Sequence, residues 1–204
     1  MEDKDKVIDV VGDDAVFISA MRALTEPDRT AEERTSAVGT LDRLSAEGHV
    51  RSTVLLGICY QEGFFVEKSL PMAFDYFKRA TFLGSVNGEY RLGVMMLQDD
   101  LYRDVEKGVQ HVKNAAARGL KDALNTLGDI YCKGIGVKAD LSEAEKYYRF
   151  AADRGLGIAF YHLSQLESQR GEVEKAAADL KAAEEHGYDL STGKQDYLRA
   201  EYLA

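Results

Sequence analysis

Residues able to carry metal or nucleophilic chemistry are few in this chain and lie far apart. Its 204 residues include four histidines and two cysteines: His49, His111, His162, His186, Cys59 and Cys132. None of them has the H-x-x-x-H, H-E-x-x-H or C-x-x-C spacing that lets neighbouring side chains hold one metal ion. The sequence therefore predicts no metal site and no bound cofactor.

One short glycine-rich segment, Gly134-Ile135-Gly136, resembles a loop that cradles a phosphate group. It lacks the G-x-x-x-x-G-K-[ST] pattern, and no strand-like alternation of apolar and polar residues precedes it. A nucleophile with an adjacent base is not recognisable along the chain. The sequence therefore predicts no catalytic residues and a protein that is not an enzyme.

Charge and hydropathy narrow the class of partner. The net charge is −9, and residues 1–48 hold 12 acidic against 6 basic side chains, so −6 of the total lies there. Such a chain is a poor match for nucleic-acid phosphates. Residues 1–12 form an acidic N-terminal segment without a secretory signal, and no stretch reaches the roughly 18 apolar residues of a membrane span. We expect a cytoplasmic protein that does not bind nucleic acid and has no membrane span.

Glycines recur at a nearly fixed interval and indicate how the elements are arranged. The gaps are 36, 36, 35, 36 and 32 residues, between Gly12, Gly48, Gly84, Gly119, Gly155 and Gly187. A period in this range is typical of a helical repeat array. Before Gly155, Ala144, Tyr148 and Ala151 lie at offsets of eleven, seven and four residues. These offsets place them in one stripe of a helix that ends at the glycine.

A second helix type follows each of these glycines. Nine residues after Gly48, Gly84 and Gly119 the chain again has glycine, each time preceded by leucine: Leu56-Gly57, Leu92-Gly93 and Leu127-Gly128. The two stripes predict an all-α array over residues 13–187, with helix pairs at 13–48, 49–84, 85–119, 120–155 and 156–187. Residues 188–204 are amphipathic and predict a C-terminal capping helix.

The fourth helix pair carries a specific motif. Between Ala123 and Gly155 it combines Leu127-Gly128 with the linker Gly134-Ile135-Gly136-Val137 and then Asp140. This pattern resembles the Sel-one-like repeat, a relative of the tetratricopeptide repeat whose linker reads G-x-G-V-x-x-D. The second pair resembles it well, the third has no glycine linker, and the first and fifth depart further.

The resemblance implies a right-handed α/α superhelix that binds proteins, because members commonly serve as adaptors in signalling and assembly. Some secreted members carry a disulfide-linked cysteine pair in every repeat, and a subset is associated with β-lactam binding or hydrolysis. Here Cys59 and Cys132 lie two repeats apart at non-equivalent positions. We therefore expect two free, dispensable thiols. We also expect the protein to be a monomer or to associate only weakly.

The same resemblance suggests where a partner binds. In the tetratricopeptide fold, positions two before and two after the motif leucine point into a groove lined by the first helix of each pair. By analogy the groove residues are Val54, Ile58, Tyr90, Val94, Asn125, Asp129, Tyr161 and Gln165. The first four are mostly apolar and the last four polar, which suits a peptide held by apolar anchors at one end. Alternatively, Val54, Ile58 and Val94 pack against an adjacent helix or a terminus.

Three classes of function remain open at this stage. The favoured one is a non-enzymatic adaptor or scaffold that binds a protein or peptide partner through the groove. The second is a structural subunit of a larger assembly that uses convex or end surfaces. The third is a β-lactam-active enzyme of the cysteine-rich repeat kind, which the cysteine count disfavours.

Overall fold

The computed structural model describes residues 10–195, with their side chains from 13 to 193. This part of the chain contains ten α-helices. Their bounds are α1 (Val10–Thr25), α2 (Ala31–Ala46), α3 (Val50–Glu62), α4 (Leu70–Phe82), α5 (Val86–Gln98), α6 (Val105–Ala117), α7 (Lys121–Lys133), α8 (Leu141–Ala152), α9 (Gly157–Gln169) and α10 (Val173–Glu185). The all-α class with five helix pairs is confirmed, and α1 begins inside the segment 1–12.

The helices fall into two compact units that divide between Leu92 and Gly93, within α5. In the first unit α1 packs on α2, α2 on α3 and α3 on α4; in the second, consecutive helices from α6 to α10 pack in the same serial order. The core of the first unit centres on Phe17, Leu41, Leu44 and Leu56, which are all almost fully buried. None of the helices in the described residues is long and apolar enough to cross a membrane.

Local signals explain where the helices begin and end. The side chains of Ser69, Asp104 and Asp140 accept backbone hydrogen bonds at the starts of α4, α6 and α8. Each therefore satisfies a backbone N–H that has no partner inside the helix. The repeat glycines from Gly48 to Gly187 all have positive φ. Glycine terminates the second helix of each pair because it adopts this conformation without the clash of a Cβ.

Glycine also sets the distance between paired helices. A Cβ added to Gly57 or Gly128 would lie 2.5 Å from a ring carbon of Phe77 or Tyr148, respectively. In the third pair, where Val112 replaces the aromatic residue, a Cβ on Gly108 would lie 3.0 Å from the backbone oxygen of Gly93. The leucine-glycine steps therefore let an aromatic ring, or the facing backbone, approach the first helix closely.

The C-terminal segment differs from the expected helix. Tyr188–Asp189 and Lys194–Gln195 form a two-residue antiparallel hairpin, β1 and β2. The Asp189 carboxylate accepts hydrogen bonds from the backbone N–H of Ser191 and of Thr192. An aspartate that binds the backbone in this way favours a turn over a helix. The capping helix is therefore wrong for residues 188–195, and residues 1–9 and 196–204 lie outside the described residues.

Candidate functional site

A hydrogen-bonded polar cluster lies in the second unit, where side chains of α7, α8 and α9 meet. The Tyr148 hydroxyl donates a hydrogen bond of 2.7 Å to Oδ1 of Asp129. Tyr148 reaches across α7 because Gly128 leaves room for its ring. A residue with a side chain at 128 would displace the ring and break this contact.

His162 of α9 completes the cluster. Its Nδ1 lies 3.0 Å from Oδ1 of Asn125 and 3.6 Å from Oδ1 of Asp129. The imidazole ring also packs on Tyr148, with 4.8 Å between ring centroids. A proton on Nδ1 lets the neutral ring donate to Asn125, so one histidine links α9 to both polar residues of α7.

Burial sets the protonation states in this cluster. It lowers the pKa of His162, an effect that Asp129 opposes and Lys133 reinforces. Burial, together with the charge of Asp129 and its hydrogen bond, raises the pKa of Tyr148. Near neutral pH the histidine is therefore neutral and the tyrosine keeps its proton. Such a pair fixes side chains in place but supplies no activated nucleophile.

Two further residues that were predicted to line the groove lie together on α9. The Gln165 side-chain amide donates a 2.7 Å hydrogen bond to the Tyr161 hydroxyl. The Tyr161 ring packs on Tyr188 of β1, at 4.9 Å between centroids. Tyr161 is half-buried and Gln165 is exposed. The surface formed by Asp129, Tyr161 and Gln165 is called the α7–α9 face below.

The predicted groove residues differ widely in accessibility. Val54 and Asn125 are buried, with 5% and 7% of their surfaces exposed. Val54 is therefore a core residue of the first unit. The Asn125 side chain is buried as well, and its oxygen hydrogen-bonds to His162. The remaining apolar candidates are half-buried: Ile58 and Tyr90 in the first unit and Val94 in the second.

Sequence reasoning missed His162, Tyr148 and Tyr188 as parts of this surface. Tyr148 was assigned to the packing stripe, which is correct for its ring but leaves out its hydroxyl. His162 is 37 residues from Asn125, and the only signal in the sequence was its place beside the groove candidate Tyr161. Tyr188 fell in the segment that was expected to be helical.

The cysteines and metal-binding residues add no second site. Cys59 and Cys132 are both free, as expected. Burial raises the pKa of the Cys59 thiol to about 11, which leaves it protonated and unreactive near neutral pH. Among the described residues, no three His, Cys, Asp or Glu side chains are grouped closely enough to hold a metal ion.

A family model matches the middle of the chain, and a curated relative aligns with more than half of it. The model of the Sel1 repeat matches residues 51–85, 86–120 and 121–156. An uncharacterised protein of Neisseria meningitidis serogroup B is 30% identical over 128 residues. That alignment covers 60% of this chain and 27% of the relative, so the chain spans about a quarter of that protein's length.

Solved structures with the same fold cover most of the chain. A Sel1 repeat protein from Oxalobacter formigenes has a TM-score of 0.75 and 21% identity, over 86% of this chain and 73% of that one. A protective antigen of uropathogenic Escherichia coli has a TM-score of 0.72 and 24% identity, over 86% of this chain and 38% of that one. At these identities the similarity shows a shared fold and nothing about partners.

Proposed function

Because the chain belongs to the Sel1 repeat family, we propose that it is a non-enzymatic adaptor that binds a protein or peptide partner. In the second unit the proposed surface is the α7–α9 face. The family's helical arrays serve commonly as interaction scaffolds, and the proposal extends that role to this chain. The partner would be an extended or helical segment that lies across α7 and α9.

One observation supports this surface most strongly. Internal hydrogen bonds hold its polar side chains in place, yet these side chains keep donor and acceptor atoms that are available to a partner. Oδ1 of Asp129 accepts the Tyr148 hydroxyl and lies 3.6 Å from Nδ1 of His162, while Oδ2 has no partner within residues 13–193. Gln165 donates to Tyr161, which leaves the Gln165 carbonyl oxygen and the Tyr161 proton available. Together with the second N–H of the Gln165 amide, these groups offer two acceptors and two donors to a peptide backbone.

Fixed side chains suit binding because ordering them costs nothing further when the partner arrives. The same internal contacts argue against catalysis, since the Tyr148 hydroxyl is already bound to Asp129 and Nδ1 of His162 to Asn125. The α7–α9 face therefore serves better as a preformed recognition surface than as a reaction centre.

The test compares partner capture by two matched proteins in extract from the native cell. The first carries Tyr161→Phe with Gln165→Ala, which removes both available donors and one of the acceptors but keeps the ring on Tyr188. The control is Gln110→Ala, an exposed glutamine of α6. Quantitative mass spectrometry should show a partner captured by wild type and control and reduced in the double variant. The same captured set for all three proteins would exclude this face.

A further inference from the structure

A second open surface in the second unit is a furrow between α6 and α8, with α7 as its floor. Its volume is about 570 Å³. Leu124 and Leu127 of α7 form the floor and are buried. On the α6 side, Ala117 lines the furrow with no side chain beyond its Cβ. The furrow is therefore a shaped apolar surface that remains open to solvent.

Its other wall is aromatic. Tyr131 and Tyr147 stack with 5.5 Å between ring centroids and 8° between ring planes. Phe150 meets Tyr147 edge-on, at 6.3 Å and 78°, and half of its surface is exposed. Aromatic rings arranged in this way offer both a face and an edge to an incoming apolar side chain.

The equivalent furrow of the first unit is bridged by hydrogen bonds from α4 to α2. Tyr60 and Tyr76, each 71 residues before its counterpart, form the same stack at 5.5 Å and 10°. There the Tyr76 hydroxyl donates to Asp42 of α2 at 2.7 Å. Arg79, which stands where Phe150 stands in the second unit, donates to the backbone oxygen of Ser45.

The next furrow of the second unit, between α8 and α10, also contains its own countercharge. Arg149 of α8 occupies the repeat position of Lys113, and Glu167 and Asp179 replace the two stacked tyrosines. Arg149 Nη2 lies 3.7 Å from Oε1 of the buried Glu167. In this furrow the cation of the preceding helix therefore faces a carboxylate of the same chain.

The α6–α8 furrow has the cations but no countercharge. Lys113 and Arg154 line it, and no acidic side chain does, in a chain of net charge −9. Lys113 forms no ion pair with any described residue, and Arg154 donates to the backbone oxygen of Phe150. The Tyr147 hydroxyl, unlike that of Tyr76, has no hydrogen-bond partner among residues 13–193.

We infer that this furrow binds a segment of a partner protein in which a carboxylate side chain stands next to an aromatic or large apolar one. The carboxylate lies between Lys113 and Arg154, and the apolar side chain packs on Tyr147 and Phe150. The partner thus supplies the acid that Asp42 or Glu167 supplies in the other two furrows. The inference goes beyond the proposed function because it concerns the opposite side of α7 and names a class of partner.

The test uses the full chain and labelled ten-residue peptides in a Gly/Ser background. The probe has a Glu-Phe-Glu centre, and its controls have Gln-Phe-Gln or Glu-Ser-Glu in the same place. Fluorescence anisotropy should show that the probe binds more tightly than both controls and that its affinity falls as salt rises. Equal binding of the three peptides, or no binding of any, would overturn the inference.

Protein variants locate the binding. Lys113→Gln and Arg154→Gln should each lower the affinity for the probe by about fivefold, since a charge pair at a protein surface contributes up to about 1 kcal/mol. Lys138→Gln removes the same charge in an exposed linker and should leave affinity unchanged. Ala117→Trp should fill the furrow and abolish binding. Circular dichroism on each variant checks that the helices remain.

Other outcomes identify other surfaces or occupants. Binding that survives Ala117→Trp would overturn the assignment to this furrow. So would loss of peptide binding in the Tyr161→Phe, Gln165→Ala variant, which instead tests the α7–α9 face. Sedimentation that shows self-association, abolished by Ala117→Trp, would identify a second copy of the chain as the occupant and contradict the inference.

Discussion

Phe65 has the left-handed backbone conformation that Gly136 has at the equivalent place of a linker two repeats later. Their φ angles are 63° and 65°. The segment Gly63-Phe64-Phe65-Val66 thus follows the path of Gly134-Ile135-Gly136-Val137, although a bulky residue replaces the glycine. A side chain in this region costs roughly 1–2 kcal/mol. The Phe65 ring is 44% exposed and lies 5.7 Å from the Arg34 guanidinium.

This strain predicts an unusual order of stability at position 65. Phe65→Gly should be more stable than Phe65→Ala by about 1 kcal/mol, because only glycine adopts positive φ freely. The comparison cancels the loss of the ring, which both substitutions share. Urea unfolding of the two variants measures the difference. A Phe65→Ala protein as stable as Phe65→Gly would show that the linker carries no strain.

Close packing at the leucine-glycine steps predicts opposite effects of one substitution at two helical glycines. Gly128→Ala should lower the free energy of unfolding by roughly 1–3 kcal/mol, because its Cβ would overlap the Tyr148 ring. Gly39→Ala should raise it by up to about 1 kcal/mol, because nothing lies within 4 Å of a Cβ there. The denaturant midpoints of the two variants measure these changes. If both substitutions shifted the midpoint in the same direction, the packing explanation would be contradicted.

His162 predicts a loss of stability in mild acid. Its pKa in the folded chain is lower than the ordinary 6.5, chiefly because of burial. Between the two pKa values the unfolded chain binds more protons, so stability falls as the pH drops from about 6.5 through the folded pKa. The wild type should therefore lose more stability between about pH 7 and 5 than His162→Gln does. Parallel pH profiles for the two proteins would remove His162 as the cause.

The two thiols should react at very different rates. Burial and a raised pKa keep Cys59 protonated, whereas Cys132 is only half-buried. A thiol-specific disulfide reagent at about pH 8 should modify Cys132 first and Cys59 only when the protein unfolds. Mass spectrometry of digests against time measures both sites. Equal rates in the native protein would contradict the buried position of Cys59.

The sequence alone determined the helix pairs of this fold, though not the hairpin at residues 188–195. The repeat glycines, the caps Ser69, Asp104 and Asp140, and the stripe before Gly155 act on nearby backbone within one helix or turn. Such signals can be read because the residues that interact lie within about four positions of each other. They predicted the five helix pairs without knowledge of any contact between repeats.

Only the tertiary structure decided which side chains are accessible and which are used internally. Asn125 and Asp129 occupy the positions that the analogy assigned to a groove, yet His162 and Tyr148 hydrogen-bond to them from 37 and 19 residues away. The charge of the α6–α8 furrow likewise depends on which side chains of α6, α7 and α8 line it together with Lys113. Contacts of this kind follow from the angles and distances at which helices pack, and these do not appear in the local order of residues.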